Sequence, residues 1–121
     1  MGITWNNASG GKVVDTVGGN GLIINPGRPY VTAIGYSSNF LSGETQSYCQ
    51  TTLSRRSIIN SDQQLNCNRG AGASGEPWLQ NYNNSNQLGD IVSDNSYSLN
   101  SDHSAPEYGP YYDPLPAGLL D

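Results

Sequence analysis

Charge is scarce in this chain of 121 residues: only 12% are Asp, Glu, Lys or Arg, and Lys12 is the single lysine. Long helices draw on Ala, Leu, Glu and Lys, so this shortage argues against a helical fold. Five basic residues stand against ten acidic ones, for a net charge of −5, and only Arg55 and Arg56 are adjacent. Nucleic-acid binding needs a clustered basic surface, which this distribution excludes. No apolar run approaches the length of a membrane span, so no membrane partner is expected. There are two cysteines, Cys49 and Cys67, and one histidine, His103. A zinc site needs more ligands at short spacing, so no metal is expected. Asp62, Asp90 and Asp94 lack the spacing of a calcium loop. Gly18, Gly19 and Gly21 are followed by neither a Gly-Lys-Ser/Thr signature nor a helix-forming run, so no phosphate cradle and no cofactor are expected.

What is abundant points to β-structure. The chain carries fifteen glycines and eight tyrosines and is rich in Asn and Ser, a composition of short strands and many turns. Its length is that of one domain with one modest core. Residues 1–20 hold glycine pairs around Lys12 to Val17 and read as a connecting segment, in part disordered. Gly21 to Ile24 is a brief apolar run closed by the turn signal Asn25-Pro26-Gly27. Strands are expected over 29–36, 44–52, 63–68, 77–80, 88–95 and 108–112, ahead of a proline-rich tail with Pro114 and Pro116. Six short strands at near-regular spacing predict a small closed barrel, and residues 21–121 read as that unit. Asn83 to Asn86 reads as a long hairpin loop, Arg55-Arg56 as a solvated turn, and Trp78 and Tyr36 as large aromatics filling the barrel.

Cys49 and Cys67 lie eighteen positions apart, each at the end of a strand-like run. Two buried thiols of a cytosolic protein are the plain alternative, but this placement favours a disulfide, which would stabilise the fold by roughly 3 kcal/mol. Asn7-Ala8-Ser9 and Asn83-Asn84-Ser85 match glycosylation acceptors, although such matches arise easily in an Asn- and Ser-rich chain. Low charge and a disulfide fit an extracellular protein, yet Met1-Gly2-Ile3-Thr4-Trp5 is no signal peptide. The expectation is therefore that the start of the protein is missing.

The stretch with most chemical content is Gly70-Ala71-Gly72-Ala73-Ser74-Gly75-Glu76-Pro77-Trp78-Leu79. A loop almost free of side chains lets the Ser74 hydroxyl stand clear while backbone N–H groups face the same space, as a developing oxyanion requires. This segment resembles the nucleophile loop of trypsin-like serine peptidases, usually Gly-x-Ser-Gly-Gly-Pro, and in particular the secreted bacterial and fungal branch with Ala-Ser-Gly-Gly-Pro-Trp-Leu. Three further blocks, in order, carry the resemblance: Gly18-Gly19-Asn20-Gly21-Leu22 with Asn25, Val31-Thr32-Ala33-Ile34-Gly35-Tyr36 followed by Tyr48-Cys49, and Tyr108-Gly109-Pro110-Tyr111-Tyr112.

The resemblance implies the C-terminal half of a two-barrel enzyme: an all-β, single six-stranded antiparallel barrel that supplies the nucleophile to a cleft shared with the other half. By position, Ser74 is the nucleophile, and the N–H groups of Gly72 and Ser74 form the oxyanion hole. Asn68 falls at the floor of the primary specificity pocket, where it offers no negative charge to a Lys or Arg side chain. Ser96-Tyr97-Ser98 matches the strand that binds the substrate backbone, with Ser93 as an alternative register. The implied partners are a peptide or protein substrate, and either the missing N-terminal barrel or a second copy covering the exposed apolar face.

Two departures qualify the implied activity. The family's histidine and aspartate would precede the segment that Met1 begins, since Gly2-Ile3-Thr4 resembles the residues after the aspartate. His103 lies in a polar loop and reads as solvated. A serine without a base is a poor nucleophile, so the expectation is a serine endopeptidase half inactive alone, or a non-catalytic homologue that binds peptides in the extracellular space. Glu76 replaces the second glycine after the serine. It is expected either to relax the loop or to turn to solvent, and its charge would oppose an oxyanion.

Overall fold

The structure is a computed structural model and describes residues 10–12, 15, 18–39 and 41–114. Most of the expected connecting segment lies outside these residues, as do Gly2-Ile3-Thr4 and the Asn7-Ala8-Ser9 pattern. Among the described residues the chain forms strands β1 (Gly21–Leu22), β2 (Tyr30–Gly35), β3 (Ser47–Thr52), β4 (Ser54–Arg55), β5 (Gln63–Leu65), β6 (Pro77–Asn83), β7 (Leu88–Asp94), β8 (Tyr97–Ser98) and β9 (Glu107–Gly109).

β2 is an interior strand of the larger sheet. Its β-branched and aromatic residues alternate, so Val31 and Ala33 enter the core while Thr32 and Ile34 face a groove on the opposite side. β3 pairs with it from Tyr30↔Thr52 to Gly35↔Ser47, and β6 pairs on its other edge at Thr32↔Leu79 and Ala33↔Trp78. β6 and β7 form a hairpin across the Asn-rich loop. There Ser85 N donates to Asn83 Oδ1, Leu88 N to Asn86 Oδ1 and Gln87 N to Asn83 O. The Asn run thus supplies the turn chemistry that its composition implied.

The strands do not close into the single six-stranded antiparallel barrel expected from the sequence. They form two open sheets, in the orders β1-β7-β6-β2-β3 and β4-β5-β9-β8. β1 runs parallel to β7. The chain leaves the first sheet at Leu53, which is buried and donates its N–H to Pro29 O, and again at Asn95–Ser96. The strands of the second sheet are only two or three residues long. At about 3.3 Å per residue they are too short to carry a ladder on to the edges of the first sheet.

The core lies between the sheets and consists of Val31, Ala33, Leu53, Leu65, Cys67, Trp78 and Val92, with Ile23 and Cys49 packed against it. Trp78 is fully buried, as expected, but Tyr36 is 54% exposed and does not fill the interior. Cys49 and Cys67 form a disulfide that ties β3 to the segment leading into the Ser74 loop. Arg56 is not a solvated turn residue. Its guanidinium lies 5.4 Å and 5.3 Å from the ring centres of Tyr97 and Tyr108 and donates to Tyr97 Oη at 2.7 Å.

Candidate active site

The Ser74 loop crosses from the buried Arg69 to the head of β6. Gly70, Gly72 and Gly75 take φ values of 66°, 89° and 82°, a left-handed region that other residues enter at a cost. Ala73 is the one side chain of this turn that points inward, at 1% exposure, while Ser74 is exposed. Glu76 N donates to Ala73 O at 3.0 Å, closing a tight turn around the serine. Gly75 N donates to Asn95 O at 2.7 Å, and Asn95 N donates back to Glu76 O at 2.9 Å. Ser38 N donates to Ala71 O at 2.8 Å on the other side. The Ser74 hydroxyl and the N–H groups of Gly72 and Ser74 have no hydrogen-bond partner among the described residues. All three groups border a cleft of about 490 Å³ whose walls include Ile34, Tyr36, Gln46, Glu76 and Tyr82.

Glu76 neither relaxes the loop nor turns to solvent, contrary to both sequence-based expectations. It is 7% exposed and lies against Arg69, which is 1% exposed. Arg69 Nε donates to Glu76 Oε1 at 2.7 Å and Nη2 to Oε2 at 2.9 Å, the two-pronged geometry in which guanidinium and carboxylate match best. Nη2 also donates to Ser47 O at 3.1 Å. Room for the carboxylate is made by Gly35: a Cβ there would collide with Glu76 Oε2 and lie 2.9 Å from Glu76 Cβ. The charge that would have opposed an oxyanion is paired inside the protein. Sequence reasoning passed over Arg69 and Gly35. The available signal was an opposite charge seven positions before Glu76, on the far side of the glycines, in a chain with five basic residues.

The other site residues named from the sequence are not gathered around Ser74. Asn68 is exposed, and its carbonyl accepts from Asn39 Nδ2 at 3.1 Å. Ser96 N is used by Tyr108 O at 2.9 Å. Tyr97 stacks on Tyr108 with ring centres 5.1 Å apart and donates a short hydrogen bond to Asp62 Oδ2. Burial first, then that bond, pushes its phenol above the ordinary value. Ser98 Oγ donates to Ser104 O at 2.9 Å. Ser93, the alternative register, is buried and donates to Pro110 O at 2.8 Å. None of these residues borders the Ser74 cleft. His103 is exposed in a turn with a φ of 57° and likewise lies outside the cleft.

Behind the loop lies a second buried carboxyl. Glu107 is 2% exposed, and Asn95 Nδ2 approaches its Oε2 at 3.4 Å, while its Oε1 has no partner among the described residues. Burial raises its pKa to about 7; the Asn95 bond and Arg69 act in the opposite sense, and Glu76 adds to the rise. Among the described residues no group of three or more His, Cys, Asp or Glu could hold a metal ion.

Comparison with known proteins places this geometry. No family model matches the sequence, and no curated protein matches it. Among solved structures, the protease Anisep from Arthrobacter nicotinovorans shares 32% identity with a TM-score of 0.71, over 90% of this chain and 50% of that one. A thermostable serine protease from an extremophilic microorganism shares 28% identity with a TM-score of 0.71, over 87% of this chain and 48% of that one. The chain thus has the all-β fold of part of a chymotrypsin-like serine protease, and spans about half the length of the structures it matches.

Proposed function

We propose that this chain is the nucleophile-bearing C-terminal half of a secreted serine endopeptidase, of the bacterial and fungal trypsin-like branch, and that it is inactive alone. The observation that carries this reading is an exposed Ser74 in a cleft with two backbone N–H groups, at Gly72 and Ser74, that have no partner among the described residues. In the intact enzyme Ser74 Oγ attacks the carbonyl carbon of a peptide bond, a histidine of the other half takes the proton, and the two N–H groups receive the oxyanion. The amine leaves with that proton, and water releases the acyl group from Ser74. Residues 21–121 form the nucleophile-bearing unit in this reading and 1–20 the connection to the other half. The roles of Asn68 as an uncharged floor and of Ser96-Tyr97-Ser98 as the substrate-binding strand belong to the joined enzyme, since none of them borders the Ser74 cleft of the chain alone.

Without a base, only binding and the oxyanion donors contribute to rate. The face of the larger sheet beside the cleft exposes Tyr30, Tyr36 and Tyr48 by 57%, 54% and 69%. An apolar surface of this kind supports docking of an N-terminal barrel, or self-association in its absence. The Cys49–Cys67 disulfide supports an extracellular setting. A fluorophosphonate probe tests the reading. We expect no labelling of Ser74 in the chain alone, and labelling that Ser74→Ala abolishes once a half bearing histidine and aspartate is joined upstream. A joined protein that stays unlabelled overturns the proposal. The second reading is a non-catalytic homologue acting as a secreted binding module, favoured by the exposed His103 being the chain's one histidine. It requires the joined protein to bind a peptide without cleaving it.

A further inference from the structure

The geometry points to Arg69 and Glu76 as positioning residues: a buried clasp that holds the Ser74 loop in the shape its N–H groups require. This inference rests on the reading of Ser74 as nucleophile and adds a device to it.

Between Arg69 and Glu76 the chain has no side chain larger than a methyl or hydroxyl, and three of its six residues are glycines with positive φ. Such a segment has the greatest conformational freedom in the unfolded chain and little packing of its own to restrain it. Its outward amides at Gly72 and Ser74 make no internal hydrogen bond among the described residues. Their peptide planes are held only through the carbonyls, Ala71 O accepting from Ser38 N at 2.8 Å and Ala73 O from Glu76 N, the clasp residue itself, at 3.0 Å. The ends of the loop, by contrast, are joined across seven positions by two charge-assisted bonds of 2.7 Å and 2.9 Å. The side chains making them are 1% and 4% exposed, where water does not compete. The third bond, from Arg69 Nη2 to Ser47 O, anchors the clasp to β3. The absence of a side chain at Gly35 leaves the space into which the Glu76 carboxylate fits.

A guanidinium and a carboxylate joined at two points fix orientation as well as distance, which an apolar pair does not. The loop termini are thereby held in one relative geometry, and the turn around Ala73 and Ser74 runs between them, tied within the loop to Ser38 and Asn95. The Glu76 charge faces the guanidinium rather than the cleft.

The test is backbone order by NMR relaxation in the full chain, which needs no catalytic activity. In the unsubstituted protein, Gly72 and Ser74 amides should have order parameters near those of rigid backbone, about 0.85. Glu76→Gln should lower both to below about 0.6, the flexible range, while Leu65 and Val92 in the core stay unchanged. Gly35→Ala, which leaves both charged side chains in place, should do the same. Arg69→Met/Glu76→Leu removes the ion pair without stranding a charge. It should recover most of the melting temperature lost in Glu76→Gln while the two amides remain mobile. Recovery of their order in that double variant would reduce the pair to a packing element and overturn the proposal. So would amides mobile in the unsubstituted chain, or unmoved by Gly35→Ala. Should the amides respond as expected while the joined enzyme never labels at Ser74, the peptidase reading falls and the clasp stands. Labelling with unaltered amides has the opposite meaning.

Discussion

Glu76 and Glu107 are two glutamates buried in neighbouring parts of one molecule, and the fold treats them in opposite ways. Glu76 meets a guanidinium at two points, with a glycine cleared to admit it. Glu107 meets one amide at 3.4 Å and keeps an oxygen without a partner among the described residues. Asn95 stands between them, its backbone bonded to the Ser74 loop and its side chain to Glu107. The difference teaches that burial alone does not decide how a carboxyl behaves. A cation at bonding distance allows an ion pair inside the protein, whereas a lone amide leaves desolvation dominant and drives the pKa up.

The sharpest way to break this comparison is to take the cation from Glu76. Arg69→Met leaves a buried carboxylate without its partner, and we expect a loss of about 3–5 kcal/mol in urea unfolding. A loss below 1 kcal/mol would mean that the pair is dispensable. The next effect is a pH dependence assigned to Glu107, whose pKa rises from 4.5 to about 7 on folding. Between those values the unfolded chain releases its proton and the folded chain keeps it. The Glu107 contribution is therefore fully present below about pH 4.5 and is lost as pH rises to about 7, by up to about 3 kcal/mol. Glu107→Gln should flatten that slope, and a profile equally steep in the variant would locate the titration elsewhere. The smallest effect is Gly35→Ala, which intrudes on the Glu76 carboxylate from the opposite side. We expect about 1–3 kcal/mol from overpacking, and a neutral outcome would show that the carboxylate has room to shift.

The sequence made the strand content and the Ser74 loop legible because both depend on local chemistry. Alternation in Tyr30 to Ile34 marks a strand whatever its neighbours are, and glycines around a serine mark a bare loop. The pairing of Cys49 with Cys67 was also within reach, since each ends a strand-like run. Closure was not legible: a barrel and two open sheets use the same strands, and the outcome turns on how far Ser54–Arg55 and Tyr97–Ser98 extend. The exposure of Tyr36 and the packing of Arg56 against the stacked Tyr97 and Tyr108 likewise follow from pairing across the chain. Glu76 was the clearest case of local reasoning failing. Its neighbours in sequence gave a clash or an exposed charge, whereas its partner Arg69 and its cradle Gly35 come from either side of the disulfide.

That disulfide reaches the loop by a second route. Cys67 precedes Arg69 by two residues, and Cys49 follows Ser47 by two, the residue whose carbonyl Arg69 holds. Sulfur and guanidinium thus bind the same two strips of chain side by side. The consequence is one of timing: before oxidation, Arg69 must hold Ser47 unaided, and the loop's anchorage is finished only when the two thiols meet. A newly made chain in a reducing compartment would carry the serine in an unfinished setting, and oxidation of the two thiols would complete it.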